Sequence, residues 1–230
     1  IGTNVKIKEY EFEEIFERKK MTINNLDYYW IEIEYEKDGQ MKHGYIWSGY
    51  LAIAYAEMGD KFLLVSFDSY GKLNSDDTSE DIIGRAILFY DHILYSEIKF
   101  VLDSPRNGRN YSTKDIHFEL LDNRGIDSFD NIFKLTLNGI PSCNTTSFEI
   151  FLGIKNLELY FIDSTICMVM IPLEYWENKI IFPSDEGGIP DRIIKRSRIY
   201  GYSEEELEQI LFEEDILIYR WENDKLIREK

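Results

Sequence analysis

Apolar and polar residues alternate through much of this chain with a period of two. "VKIKEYEF" does so around Val5 and Ile7, and "YYWIEIEYE" does so more strictly from Tyr28 to Glu36. A period of two puts one row of side chains on each face of a strand, so these segments predict half-buried sheet. "EKDGQ" then carries Asp38-Gly39, a strong short-range hairpin signal, and "HGYIWSGYLA" supplies a returning strand. Residues 29 to 52 therefore read as one hairpin.

After Ile53 the texture changes without a linker. "KFLLVSFDSYG", "RAILFYD", "EIKFVLD", "IHFELLDNRG", "NIFKLTLNG", "FEIFLG" and "LELYFID" are short aromatic and β-branched runs, most of them closed by Asp, Asn or Gly. Turns at roughly ten-residue spacing predict an all-β sandwich, barrel or propeller-like array of sheets. Ile82, Ile83, Ala86, Ile87 and Tyr90 also fit a helical stripe, yet the segment is read as strand. One helix is expected near the C-terminus. Ser203 with Glu206 three residues on forms a capping box, and Leu207, Ile210 and Leu211 share a face. "ILIYRWENDKLIRE" follows as a hairpin turning at Glu222-Asn223-Asp224, with Trp221 packing inward or closing an edge.

Two resemblances refine this reading. Trp30, the Asp38-Gly39 turn, Gly44-Tyr45-Ile46-Trp47 and Ser48-Gly49-Tyr50-Leu51 together resemble the end of a bacterial SH3-like (SH3b-type) domain. The usual front of that domain is missing, which implies a barrel over residues 1 to 52 lacking its first strand. The Asp-rich turns between strands resemble degenerate FG-GAP or VCBS-type repeats, and the Phe182–Gly188 segment "FPSDEGG" is similar to a stretch near the end of such proteins. Residues 53 to 230 are then a larger β-rich domain. The resemblance implies an extracytoplasmic protein of the bacterial envelope, periplasmic, lipid-anchored or secreted.

Composition narrows the function. The chain has 230 residues with 43 acidic and 26 basic side chains, a formal charge of −17. That field repels phosphate backbones, so nucleic acid is not an expected partner. No run approaches the roughly 18 apolar residues of a membrane-spanning helix. Because the sequence begins at Ile1, a leader removed or left out of the numbering is expected. Aromatic residues make up 15% of the chain, which favours strands.

Candidate chemistry is sparse. Asp122, Asp127 and Asp130 echo a calcium loop, but Arg124 and Ile126 occupy ligand positions. Asp76, Asp77, Glu80 and Asp81 have carboxylates without a known loop spacing, so neither metal nor cofactor is expected. SH3-like domains often accompany cysteine peptidases of the cell wall, yet Cys143 and Cys167 lack that family's surroundings, and His43, His92 and His117 all lie upstream of them. The two cysteines read as buried thiols, or as closing a loop of about 25 residues worth roughly 3 kcal/mol. Asp185 and Glu186, in a Gly-Gly turn, read as solvated rather than catalytic.

The aromatic residues of the hairpin are the binding candidates. Tyr29, Trp30, Tyr45, Trp47 and Tyr50 are the ligand-binding set, since an SH3-type face offers aromatic side chains to extended peptides. Strand parity also sends about half of such residues into the core. The expectation is a non-catalytic protein that binds a peptide, a cell-wall glycan or another protein, with a cell-wall hydrolase or a scaffold as alternatives.

Overall fold

The computed structural model describes residues 5–7, 20–23, 26–47, 51–73, 81–91, 93–103, 111–139, 144–170, 174–202 and 209–229. Every regular element among them is a strand, paired antiparallel with its neighbours, so the fold is all-β. No helix among the described residues is long and apolar enough to cross a membrane. The chain divides into two units, Ile1–Arg106 and Asn107–Lys230.

The first unit holds two four-stranded sheets. One comprises β1 (Val5–Ile7), β2 (Lys20–Ile23), β3 (Leu26–Lys37) and β4 (Gln40–Trp47), with β3 paired to the other three. Asp38 and Gly39 take φ of 56° and 73°, the left-handed pair that a two-residue turn between twisted strands requires. The second sheet is a meander of β5 (Ala52–Met58), β6 (Lys61–Gly71), β7 (Asp81–Tyr90) and β8 (Ile93–Asp103). Leu63, Val65, Ala86 and Leu88 are fully covered in its centre. The segment that could have been helical is strand β7, held by β6 on one side and β8 on the other.

The second unit is one continuous meander. It runs β9 (Tyr111–Leu121), β10 (Asn131–Gly139), β11 (Asn144–Lys155), β12 (Glu158–Met170), β13 (Glu174–Ile181), β14 (Ile193–Tyr202), β15 (Gln209–Glu222) and β16 (Lys225–Arg228), each beside the next. On one face of β10 and β11, Phe133, Leu135, Leu137, Phe148, Ile150 and Leu152 are buried. The opposite face carries a core of Ile126, Phe129, Ile132, Phe151, Ile162, Ile180, Phe182 and Ile193. Ile126 and Phe129 come from the β9–β10 connection, which folds back over the sheet. Trp221 turns inward onto this core, its ring 4.8 Å from that of Phe129.

The expected C-terminal helix is not formed in the described part. Ser203–Glu208 lies outside the described residues, and from Gln209 the chain is strand, so Ile210 and Leu211 belong to β15. A capping box stabilises a helix by about 1 kcal/mol. Strand β15 instead makes a ladder with β14 from Tyr202↔Gln209 to Ile193↔Tyr219, reinforced by Arg198 Nε donating to Glu214 Oε1 at 2.6 Å. The ladder wins. The hairpin beyond it forms as its residues suggest, turning at Asn223 and Asp224 with φ of 51° and 60°.

Candidate functional site

Among the described residues, the β3–β4 hairpin carries exposed aromatic and acidic side chains. Its register pairs Trp30 with Trp47, Glu32 with Tyr45, Glu34 with His43 and Glu36 with Met41. In an antiparallel pair such partners share a face. That face therefore presents one acidic row on β3 and, on β4, a mixed row of Met41, His43 and Tyr45. Tyr45 is 69% exposed and Met41 62%, while Trp30 is 36% exposed and Trp47 only 1%. Ile33, on the opposite face, is buried. The acidic row is partly tied: His43 Nδ1 stands 3.7 Å from Glu34 Oε1.

The sequence candidates thus separate. Trp30 and Tyr45 are diagonal neighbours on the open face, which places their Cα atoms on the order of 7–8 Å apart. Trp47 shares their face but is covered, so it anchors the sheet rather than touching a visitor. Tyr29 pairs with Lys20 of β2. Tyr50 lies outside the described residues.

The second unit holds a cavity of about 490 Å³. Strands as far apart as β9 and β13 both line it, with Glu119 on one and Tyr175 and Glu177 on the other, so the sheet curls round it. Phe151 and Phe182 extend the core into its wall. Lys134 bridges to Glu149 at 2.5 Å and lies 5.9 Å from the Phe151 ring centre. Two connections latch together beside it. Arg124 forms an ion pair with Asp185, the Ser184 N–H donates to the Arg124 carbonyl at 3.1 Å, and the Phe182 N–H donates to Asp185 Oδ2 at 2.8 Å. Gly125, at φ 79°, permits this closeness, because a Cβ there would stand 2.7 Å from Ser184 Oγ and 2.9 Å from Pro183 Cβ.

The cysteine and histidine candidates are not assembled by what is described. Cys167 is a free thiol on the cavity wall, with Trp176 carbonyl oxygen at 3.3 Å and Tyr175 hydroxyl at 3.6 Å as its partners. The Tyr175 hydroxyl is pushed well above the ordinary tyrosine range, first by that contact and then by burial. His117 lies on β9, its register partner Thr136, and His43 belongs to the first unit. Cys143 and His92 are outside the described residues. The cavity has no signal in the sequence, because no local pattern announces that β9 and β13 will line one space.

The acidic turns hold backbone. Asp122 Oδ1 accepts from the Arg124 N–H at 2.7 Å, and Asp130 Oδ2 from the Asn156 N–H at 3.1 Å. Among the described residues no three His, Cys, Asp or Glu side chains gather as metal ligands. Asp76, Asp77 and Glu80 lie outside those residues, and Asp81 is buried at the start of β7. Asp185 is committed to Arg124 and to the Phe182 amide, and both it and Glu186 line the cavity.

No family model, no curated protein and no solved structure matches this chain.

Proposed function

We propose that this chain is a non-catalytic recognition protein that takes a peptide, glycan or protein partner across the open face of its β3–β4 hairpin. The observation that carries the reading is the pair Trp30 and Tyr45, diagonal neighbours exposed on a face whose other tryptophan, Trp47, is buried. Trp and Tyr dominate binding hot spots because each offers a large rigid surface with a polar tip. Glu32, Glu34 and Glu36 on the same face favour a partner that presents amines or hydroxyl groups between apolar contacts. The bacterial envelope as the setting, and the SH3-like and repeat-type kinships, rest on the sequence resemblance alone.

The test is retention on purified peptidoglycan and on an array of short peptides, comparing the parent chain with Tyr45→Ala and Trp30→Ala. Both substitutions fall outside the buried core, on Tyr45 at 69% and Trp30 at 36% exposure. The reading expects a loss of at least tenfold in each variant. Retention equal to the parent in both would remove it.

A further inference from the structure

Among the described residues, strand β15 is paired on one side only for most of its length. Strand β14 covers one edge from Gln209 to Tyr219, but β16 covers the other only from Tyr219 to Glu222. The Glu229 N–H reaches the Ile218 carbonyl at 2.8 Å, which extends that cover by one residue and fixes which groups point outward. In a strand the N–H and C=O of one residue point the same way and alternate along the chain. Ile216 and Glu214 therefore direct both backbone groups to the uncovered edge, on which no strand among the described residues lies.

The side chains along this edge are equally unusual. Ile210, Leu211, Phe212 and Ile216 are 45%, 45%, 62% and 51% exposed. Phe212 is the extra residue of a bulge opposite Ile199 and Tyr200. Glu214 is balanced by Arg198, but Glu213 and Asp215 have no basic partner within 4.0 Å among the described residues. A long apolar edge is a template for another strand. The acids decide which one. A second copy pairing antiparallel about Glu214 would set Glu213 against Asp215 twice, and like charges directly opposite are destabilising.

We infer that the outer edge of β15, from Gln209 to Leu217, is a strand-addition site for an extended segment carrying Lys or Arg at alternate positions with apolar residues between. Main-chain bonds from Glu214 and Ile216 give such a segment its register, and Glu213 and Asp215 select its charge. The site is independent of the hairpin face, so the Tyr45→Ala variant must bind it unchanged.

The experiment uses fluorescence anisotropy with a labelled octapeptide, (Lys-Val)4, on the full chain. Comparators are (Glu-Val)4 and a (Lys-Val)4 peptide with a central proline, which keeps most of the charge and cannot continue a ladder. The expected result is saturable binding of (Lys-Val)4 alone, slowed amide exchange at Glu214 and Ile216, and at least tenfold weaker binding in Glu213→Lys/Asp215→Lys. Ile216→Pro should weaken it similarly, and if that variant does not fold, the charge variant and the exchange map decide. No binding up to 1 mM, equal binding of the proline or glutamate peptide, or self-association of the chain through this edge in sedimentation would each overturn the inference.

Discussion

Trp30 and Trp47 are direct cross-strand partners, yet one ring is 36% exposed and the other 1%. Two residues of one type on one sheet face thus have different settings, one partly open and one enclosed in the core. This difference predicts different costs of removal. Trp47→Ala should destabilise the chain by about 3–5 kcal/mol, the usual range for emptying a large aromatic site. Trp30→Ala should cost less, about 1–3 kcal/mol, because its ring is 36% exposed and only part of its apolar area is covered. Urea unfolding of the two variants measures both, and equal losses would contradict the assignment.

The latch between Arg124 and Asp185 gives a second prediction. Asp185→Ala removes the ion pair and the acceptor of the Phe182 N–H together, in a partly buried setting. A loss of about 1–3 kcal/mol is expected, discounted for the partial exposure of Arg124. Gly125→Ala should cost at least as much, because it adds left-handed strain to the collision with Ser184 and Pro183. Thermal melts of the two variants check the order, and a Gly125→Ala chain as stable as the parent would show that the turns do not pack this closely.

Alkaline titration supplies the third. The Tyr160 hydroxyl donates to Glu158 Oε2 at 2.5 Å, and that bond, aided by partial burial, lifts its pKa to about 12. A tyrosine whose folded pKa exceeds its unfolded value of about 10 holds its proton more tightly when folded. Its stabilising contribution is complete below about pH 10 and is lost as pH rises through about 12. The part of the 295 nm absorbance change that Tyr160→Phe removes should come late, near pH 12, and Glu158→Gln should move that part toward pH 10. An unchanged step would mean the bond is not made.

How far the sequence foretold these features varies with the range of the interaction. The β3–β4 hairpin was legible because Asp38-Gly39 and strict alternation are local signals that agree. The Asn156–Leu157 turn was less so: both residues take positive φ, 51° and 66°, yet leucine is a residue that rarely marks such a turn. The expected C-terminal helix shows the converse. Ser203 and Glu206 supply a capping signal, but Ile210 and Leu211 are claimed by a ladder with Gly201 and Tyr200 that no local pattern encodes. Among the aromatic candidates, parity could say that some rings are core but not that Trp47 would be covered while Trp30 on the same face stays open. That depends on what packs at the end of the face, which is a tertiary fact.

The most direct test of the account is collisional quenching by iodide and acrylamide in two chains, each keeping only one of the hairpin tryptophans, with Trp176 and Trp221 replaced by phenylalanine in both. Trp30 should be quenched readily, and less so when a retained partner is bound. Trp47 should resist quenching in either state. Equal accessibility of the two rings, or a Trp30 already shielded without any partner, would contradict the claim that this face of the hairpin is open for recognition.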